Sequence, residues 1–383
     1  MVGALTRPRG HADDRARDLL LLGTLPGVGP ARLLRLVQAF GGASSALRAP
    51  AAAFATVAGS KAARARSDRS VADQVDQALE CADRMGMTVL TWGSSAYPED
   101  LLHLADPPAL LFLRGRLELL TRQPAITVVG SRRVTTRGRE VARTMGRALA
   151  EGGAVVVSGL ALGTDGEAHR GALDSEGDTI AVLGAGADVP YPRTHTRLFD
   201  AIAERGLLVS EFAPGTRAAP YHFPRRNRVL AALGRAGVVV VEAGARSGSL
   251  ITVDHALDLG RDVWVVPGPI DGPACAGSNG LLADGAHPLV SIDTFVAELG
   301  ANTVEQTYAA TVAPIAVNPE VTRGDRHEPA EAVLRHLAEE ALAPVELASR
   351  CGCSVPDMLA TLKSLELRGR VVRLPGLRYR RAA

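Results

Sequence analysis

Between Phe223 and Pro269 the chain sets arginines, an asparagine and small hydroxyl residues around a β-branched run. Phe223-Pro224-Arg225-Arg226-Asn227-Arg228 precedes Val238–Val241, and Glu242-Ala243 leads through Arg246-Ser247-Gly248-Ser249 into a helical pattern. Guanidinium groups match phosphate oxygens in two-pronged fashion, and serine hydroxyls and free N–H groups at a helix start donate to the same oxygens. Two other stretches have this make-up: Gly130-Ser131-Arg132-Arg133, and Ser158-Gly159-Leu160-Ala161-Leu162-Gly163-Thr164-Asp165. Each follows an apolar run and opens toward a helix, so all three should gather at the carboxyl edge of one sheet, where such sheets hold ligands. The glycines let the backbone approach an anion, and Arg132 adds a fixed charge.

Pro224 suits an early helical position. Arg225 and Arg228, three apart, then share a face while Arg226 points elsewhere. One of these arginines can brace the sheet edge through carbonyls; at least one of the Arg225–Arg228 pair is expected to reach a phosphate. Phe223 is a candidate for stacking on a base, or a hydrophobic staple on the core. Glu242, at a strand end, is either a catalytic carboxylate or a brace for Arg228 or a loop N–H. Asp165 can simply cap a helix, and His169 can orient Asp165 or a carbonyl. His169, His195 and His222 are scattered, and no acid, base and nucleophile converge by spacing. G-x-G-x-x-G is missing after the first strand, and G-x-x-x-x-G-K-[ST] is missing throughout, which argues against a dinucleotide enzyme and a P-loop NTPase.

The elements that position these residues alternate. Strands are predicted at Ile126–Val129, Ala154–Val157, Thr179–Leu183, Leu207–Val209, Val238–Val241 and Val263–Val266. Helices fall near 137–151, 164–175, 194–205, 226–234 and 249–259. Apolar strands without strict alternation are covered on both faces. The expectation is a doubly wound Rossmann-like parallel sheet over 125–300. Ahead of it come a disordered tail (1–17), a helical helix-hairpin-helix/SAM-like domain (18–85) and an adaptor (86–124). Within the helical domain, Leu25-Pro26-Gly27-Val28-Gly29-Pro30 reads as a phosphate-holding hairpin turn or a plain helix corner, and Gly59–Arg69 as an exposed loop. A linker (301–327) leads to three helical patterns and a β-hairpin, the outline of a winged helix (328–383).

Of 383 residues, 46% are hydrophobic and 22% charged, with a net charge of +2, so any polyanion partner must be held by local clusters. No apolar run reaches membrane-span length and no secretory signal is evident, which reads as cytoplasmic. Cys351-Gly352-Cys353 lacks zinc spacing, and neither a metal nor a cofactor is expected.

Taken together, G-S-R-R, S-G-L-A-L-G-T-D-G-E-A-H, T-I-A-V-L-G-A-G-A-D-V-P-Y-P, F-P-R-R-N-R, V-V-E-A-G-A-R-S-G-S-L-I-T and G-R-D-V-W-V-V-P-G, in that order, resemble the DNA-processing protein A (DprA/Smf) family. The three-part layout resembles it too. The resemblance implies a non-catalytic, homodimeric protein that binds single-stranded DNA, protects incoming strands during natural transformation and loads the RecA recombinase. It implies phosphate cradles at Gly130, Ser131 and Arg132, with Ser158, Gly159 and Gly163 beside them. Arg225, Asn227 and Arg228 would line the same groove, with Ser247, Gly248 and Ser249 opposite. The sequence departs from the family pattern at Thr164, at Ala231-Ala232-Leu233-Gly234, and at Asp178 and Pro220, where a basic residue is common. The last two are expected to lower the groove's positive potential, with Arg217, Arg225 or Arg226 compensating. An alternative is a Rossmann enzyme that hydrolyses nucleoside monophosphates, although its P-G-G-x-G-T loop is absent.

Overall fold

The computed structural model describes residues 11–299, 329–338, 342–352, 358, 361–362, 365, 370–374 and 378–381. Six helices come first: α1 (His11–Thr24), α2 (Pro30–Phe40), α3 (Ala43–Arg48), α4 (Ala51–Ala58), α5 (Ser60–Ala65) and α6 (Arg69–Arg84). The tail expected over 1–17 is therefore helical from His11. Ala16 and Leu19 are buried, and Arg17 makes a two-pronged ion pair with Asp76 of α6 at 2.6 and 2.9 Å. The loop expected at Gly59–Arg69 is mostly helix as well, because Ala62 packs fully into the core. In the turn between α1 and α2, Val28 is buried and Arg32 Nη1 donates to the Gly27 carbonyl at 2.6 Å, a helix-corner arrangement.

Nine strands form one sheet: β1 (Thr88–Thr91), β2 (Leu110–Gly115), β3 (Ala125–Val129), β4 (Val155–Ser158), β5 (Thr179–Val182), β6 (Leu207–Ser210), β7 (Gly237–Val240), β8 (Val263–Val265) and β9 (His287–Pro288). Their order is β1-β2-β6-β5-β4-β3-β7-β8-β9. The run from β6 to β9 is parallel, and β1 and β2 add antiparallel at one edge, Phe112 opposite Ser210. The segment read as an adaptor is thus part of the sheet, after the short helix α7 (Glu99–Leu102). Leu111 and Phe112 are fully buried, which the strand's own neighbours could not achieve without the sheet behind it.

Helices α8 (Thr136–Glu151), α9 (Thr164–Asp174), α10 (Thr196–Arg205), α11 (His222–Leu233), α12 (Leu250–Asp258) and α13 (Ala276–Ala283), with α14 over residues 292–299, complete the unit. Successive side chains of a strand point to opposite faces, and both faces are apolar here. Ile126 and Val128 pack with Met145 and Leu149 of α8, Ala168 of α9, and Phe295. Val155, Val157 and Val240 pack on the other face with Phe199, Leu230 and Val253 of α10 to α12 and with the N-terminal helices. β3 pairs with β4 on one side and β7 on the other, so the winding direction reverses between them. Loops leaving the carboxyl ends of β3 and β7 then diverge to opposite faces and open a crevice.

A second unit, 310–383, has its own core. Helices α15 (Pro329–His336) and α16 (Pro344–Cys351) pack with the hairpin β10 (Val371–Leu374) and β11 (Arg378–Arg381) around Leu334, Leu347, Val371 and Tyr379. Glu346 accepts from the Ala343 N–H at 2.8 Å and caps α16. Most of the third expected helix and the linker lie outside the described residues. No helix among the described residues is long and apolar enough to cross a membrane.

Candidate functional site

The crevice at the switch point has a volume of about 720 Å³ and is open to solvent. Gly130–Arg133 after β3 form one wall, Gly244–Ser249 with the start of α12 the other, and the first turns of α11 with Tyr191 close the side.

The β3 loop is built by backbone bonds. Ser131 N–H donates to the Glu242 carbonyl at 2.6 Å, and Thr164 N–H donates to the Ser131 carbonyl at 3.2 Å. Gly163 bends α9 into this contact at φ +78, and a Cβ there would lie 2.3 Å from the Ser131 oxygen. Thr164, a departure from the family pattern, holds its hydroxyl 3.4 Å from the same carbonyl. The loop is thereby fixed, and Arg132 and Arg133 project exposed from it. The Arg132 guanidinium lies over the Phe223 ring, 4.6 Å from its centroid, and Tyr191 tilts on that ring at 5.5 Å. Phe223 is thus neither a staple on the core nor a bare stacking face; it is the platform for Arg132.

Arg225 and Arg228 share a helix face as their spacing requires, but that face turns away from the crevice. Arg228 is buried, and its Nη1 and Nη2 donate to Glu211 at 3.0 and 2.9 Å while Nε donates to Asp106 Oδ1 at 2.9 Å. Arg225 Nε donates to Glu211 at 3.0 Å. Their charges are spent on carboxylates, which corrects the expectation that this pair lines the groove. Arg226 lines it instead. It is buried at 4% exposure beneath Gly159, donating to that residue's carbonyl at 2.7 Å and also to the Val182 carbonyl. Burial lowers its pKa to about 10, and Asp165 alongside opposes the drop. Burial in turn raises the Asp165 carboxyl, against the pull of Arg226. Asn227 accepts from Arg226 Nε at 3.2 Å and donates from Nδ2 to the Gly248 carbonyl at 3.0 Å, tying α11 to the opposite wall.

Ser158 is fully buried, its hydroxyl donating to the Val128 carbonyl at 2.6 Å, and Gly159 makes room for Arg226, whose Nη1 would be 2.3 Å from a Cβ there. Neither forms the crevice surface, so they support the cradle from below. Ser247 and Ser249 do face it, their hydroxyls 2.7 Å apart. Glu242 proves to be a brace: its carboxylate accepts from Thr135 N–H at 2.9 Å and from the Thr135 hydroxyl at 2.6 Å, while that hydroxyl caps Gly138 N–H of α8 at 3.0 Å. His169 makes no hydrogen bond to Asp165; its Nδ1 donates at 2.7 Å to Thr179, whose hydroxyl donates to the Val156 carbonyl. Burial lowers the His169 pKa to about 3. Among the described residues no His, Cys, Asp and Glu group could hold a metal ion.

Asp178 is also placed differently from expectation. It precedes β5, at the amino edge of the sheet, and is neutralised by Arg116 at 2.6 Å and by Arg122. It does not reduce the potential of the crevice; Pro220, which lines it, is the departure that bears on it. Sequence reasoning left out Arg133, Arg246, Tyr191 and Thr252 as site residues. The first two carried a signal, an arginine inside a glycine- and serine-rich strand end; the last two had none.

A doubly wound sheet whose switch-point crevice presents arginines, serine hydroxyls and helix starts is a domain of the Rossmann type with groups suited to an anion. The family model of DNA recombination-mediator protein A matches residues 88–300, and that of the DprA winged helix domain matches 319–376. Protein Smf of Synechocystis is 32% identical over 386 residues, covering 93% of this chain and 96% of its own. The crystal structure of DprA from Streptococcus pneumoniae is similar with a TM-score of 0.64 and 34% identity, over 74% of this chain and 98% of that one. A Helicobacter pylori DprA structure, described in terms of its single-stranded DNA binding mode, has a TM-score of 0.51 and 29% identity, over 58% of this chain and 98% of that one. The chain belongs to the DNA recombination-mediator protein A family, with the family's winged helix domain at its C-terminus.

Proposed function

We propose that this protein binds single-stranded DNA along the crevice, mainly through phosphates and with little sequence preference. The observation that carries the reading is the set Arg132, Arg133 and Arg246: exposed, on two facing walls, and in no ion pair among the described residues. Cations already paired, such as Arg228, offer a polyanion little; unpaired ones release counterions when phosphates bind. Tyr191, 44% exposed beside Phe223, offers a ring for a base. The single-strand binding described for the Helicobacter relative supports the same reading. From family membership we extend it: the protein protects incoming strands during natural transformation and recombination, loads RecA on them, and acts as a cytoplasmic homodimer.

The test is a salt-titrated binding assay with single- and double-stranded DNA, using wild type and Arg132→Ala. A single-strand preference that Arg132→Ala weakens for all sequences alike supports the assignment; unchanged affinity in the variant sinks the site. RecA filament assembly with and without the protein tests the second half. Hydrolysis of nucleoside monophosphates is not favoured, because Glu242, the best-placed carboxylate, is committed to Thr135. Release of ribose 5-phosphate from such substrates would revive it.

A further inference from the structure

Resting on the strand-binding reading, the geometry points to a subsite at the start of α12 that takes a phosphate monoester: the terminal phosphate of a strand, or that of a free mononucleotide. Thr252, in the first turn of α12, lines the crevice at 1% exposure, and its Oγ1 has no hydrogen-bond partner. A buried hydroxyl without a partner is uncommon, and one on a crevice wall is a donor kept for something that enters. The carbonyl four residues back, at Gly248, where a helical threonine often bonds, is taken by Asn227 Nδ2 at 3.0 Å.

Other donors point the same way. Leu250 N–H and Thr252 N–H are used locally, on Ser247 at 3.2 Å and Ser249 at 3.0 Å, while Ile251 N–H between them has no acceptor among the described residues. The Ser247 and Ser249 hydroxyls bond each other at 2.7 Å, which leaves one of their two protons available. The helix start adds partial positive charge, Arg246 stands exposed at the mouth, and the wall from Gly244 to Thr252 holds no carboxylate. Asn227, clasped to both Arg226 and Gly248, holds this loop in place without a ligand.

The depth of Thr252 selects a chain end. An internal phosphodiester has two free oxygens and must lead its chain outward on both sides. A monoester presents three acceptor oxygens and carries close to two charges at neutral pH, matching Ile251 N–H, the Thr252 hydroxyl and a serine hydroxyl.

The test measures binding by the full-length protein of a short oligothymidylate carrying a 5′-phosphate, a 3′-phosphate or hydroxyls at both ends, with thymidine monophosphate and thymidine as competitors. One phosphorylated end should bind tighter, and the monophosphate should compete where the nucleoside does not. Thr252→Val should lower affinity for the phosphorylated end about tenfold. It should bring the phosphorylated end down to the affinity of the hydroxyl-ended strand in the same variant, and leave the melting temperature unchanged or higher, since the hydroxyl has no partner to lose. Thr252→Ser should restore the preference. Equal affinity of the wild type for all three oligonucleotides, or a preference that survives Thr252→Val, overturns the subsite but not the strand-binding reading. Failure of the wild type to bind any of them overturns both.

Discussion

Arg132, on the β3 wall of the crevice, stacks on Phe223 of the α11 side, the guanidinium carbon 4.6 Å from the ring centroid. The ring itself is seated against Gly184, where a Cβ would come within 2.9 Å, and against Tyr191. A cation stacked on an aromatic face is left without a counter-charge, whereas one paired with a carboxylate is neutralised by it. That distinction separates Arg132 from Arg225 and Arg228, and it makes the two members of the stack separable by experiment.

Arg132→Ala should reduce the slope of log affinity against log salt by about 0.7, one phosphate contact on a single strand. Phe223→Leu removes the platform but not the charge. It should cost about 0.5–1 kcal/mol of binding with the slope kept. Equal slope changes in both variants would show that Arg132 reaches the phosphate only when the ring holds it, so that the two are not separable.

Arg228→Ala should destabilise the fold by about 2–3 kcal/mol, because Glu211, 2% exposed, would lose two charge-assisted hydrogen bonds and keep only the partly exposed Arg225 as its cation. Denaturant unfolding measures this. At low denaturant, where the variant remains folded, its DNA affinity should match wild type. A large loss of affinity there would return Arg228 to the groove.

Acid should weaken the fold through His169. Its folded pKa is held near 3 by burial, below the 6.5 of an ordinary histidine, so the unfolded chain binds the extra proton first. Stability therefore rises with pH across this window and is lost as pH falls from 6.5 toward 3, at a limiting slope of about 1.4 kcal/mol per unit. Asp165 acts with the opposite sign: its raised pKa favours the folded state below 3.8, and that contribution fades as pH climbs past it. His169→Asn, which keeps a donor for Thr179, should flatten the acid limb in urea titrations; an unchanged limb would clear His169 of the effect.

Gly163→Ala should cost about 1–3 kcal/mol, since φ +78 is strained for a side chain and the added Cβ would press on the Ser131 carbonyl at 2.3 Å. The β3 loop must then shift, carrying Arg132 with it, and DNA affinity should fall even where the protein is fully folded. Preserved affinity would mean that the cradle tolerates displacement.

The core strands were legible because each is an apolar run bounded by glycine or polar residues, and β3 to β8 all fall where those runs predict. β2 was harder to place: Leu110–Gly115 is apolar, but nothing local says that it pairs with β6, nearly a hundred residues on. The three strand-end loops were legible as one rim because strand direction puts all carboxyl ends on one edge. That Asp178 lies on the other edge followed from the same rule, since it precedes its strand.

By itself the sequence determined the sheet, the rim and the chemical class of the site, since residue period, glycine placement and arginine content are local properties. Tertiary structure alone decided which arginines are free to act. The i, i+3 spacing puts Arg225 and Arg228 on one face, but which face depends on Glu211 and Asp106, brought in from β6 and the β1–β2 connection. Charge is neutralised over a few ångströms in space, and that distance bears no relation to separation along the chain. Arg132 stays open to an anion because it is stacked on an aromatic ring and makes no ion pair among the described residues.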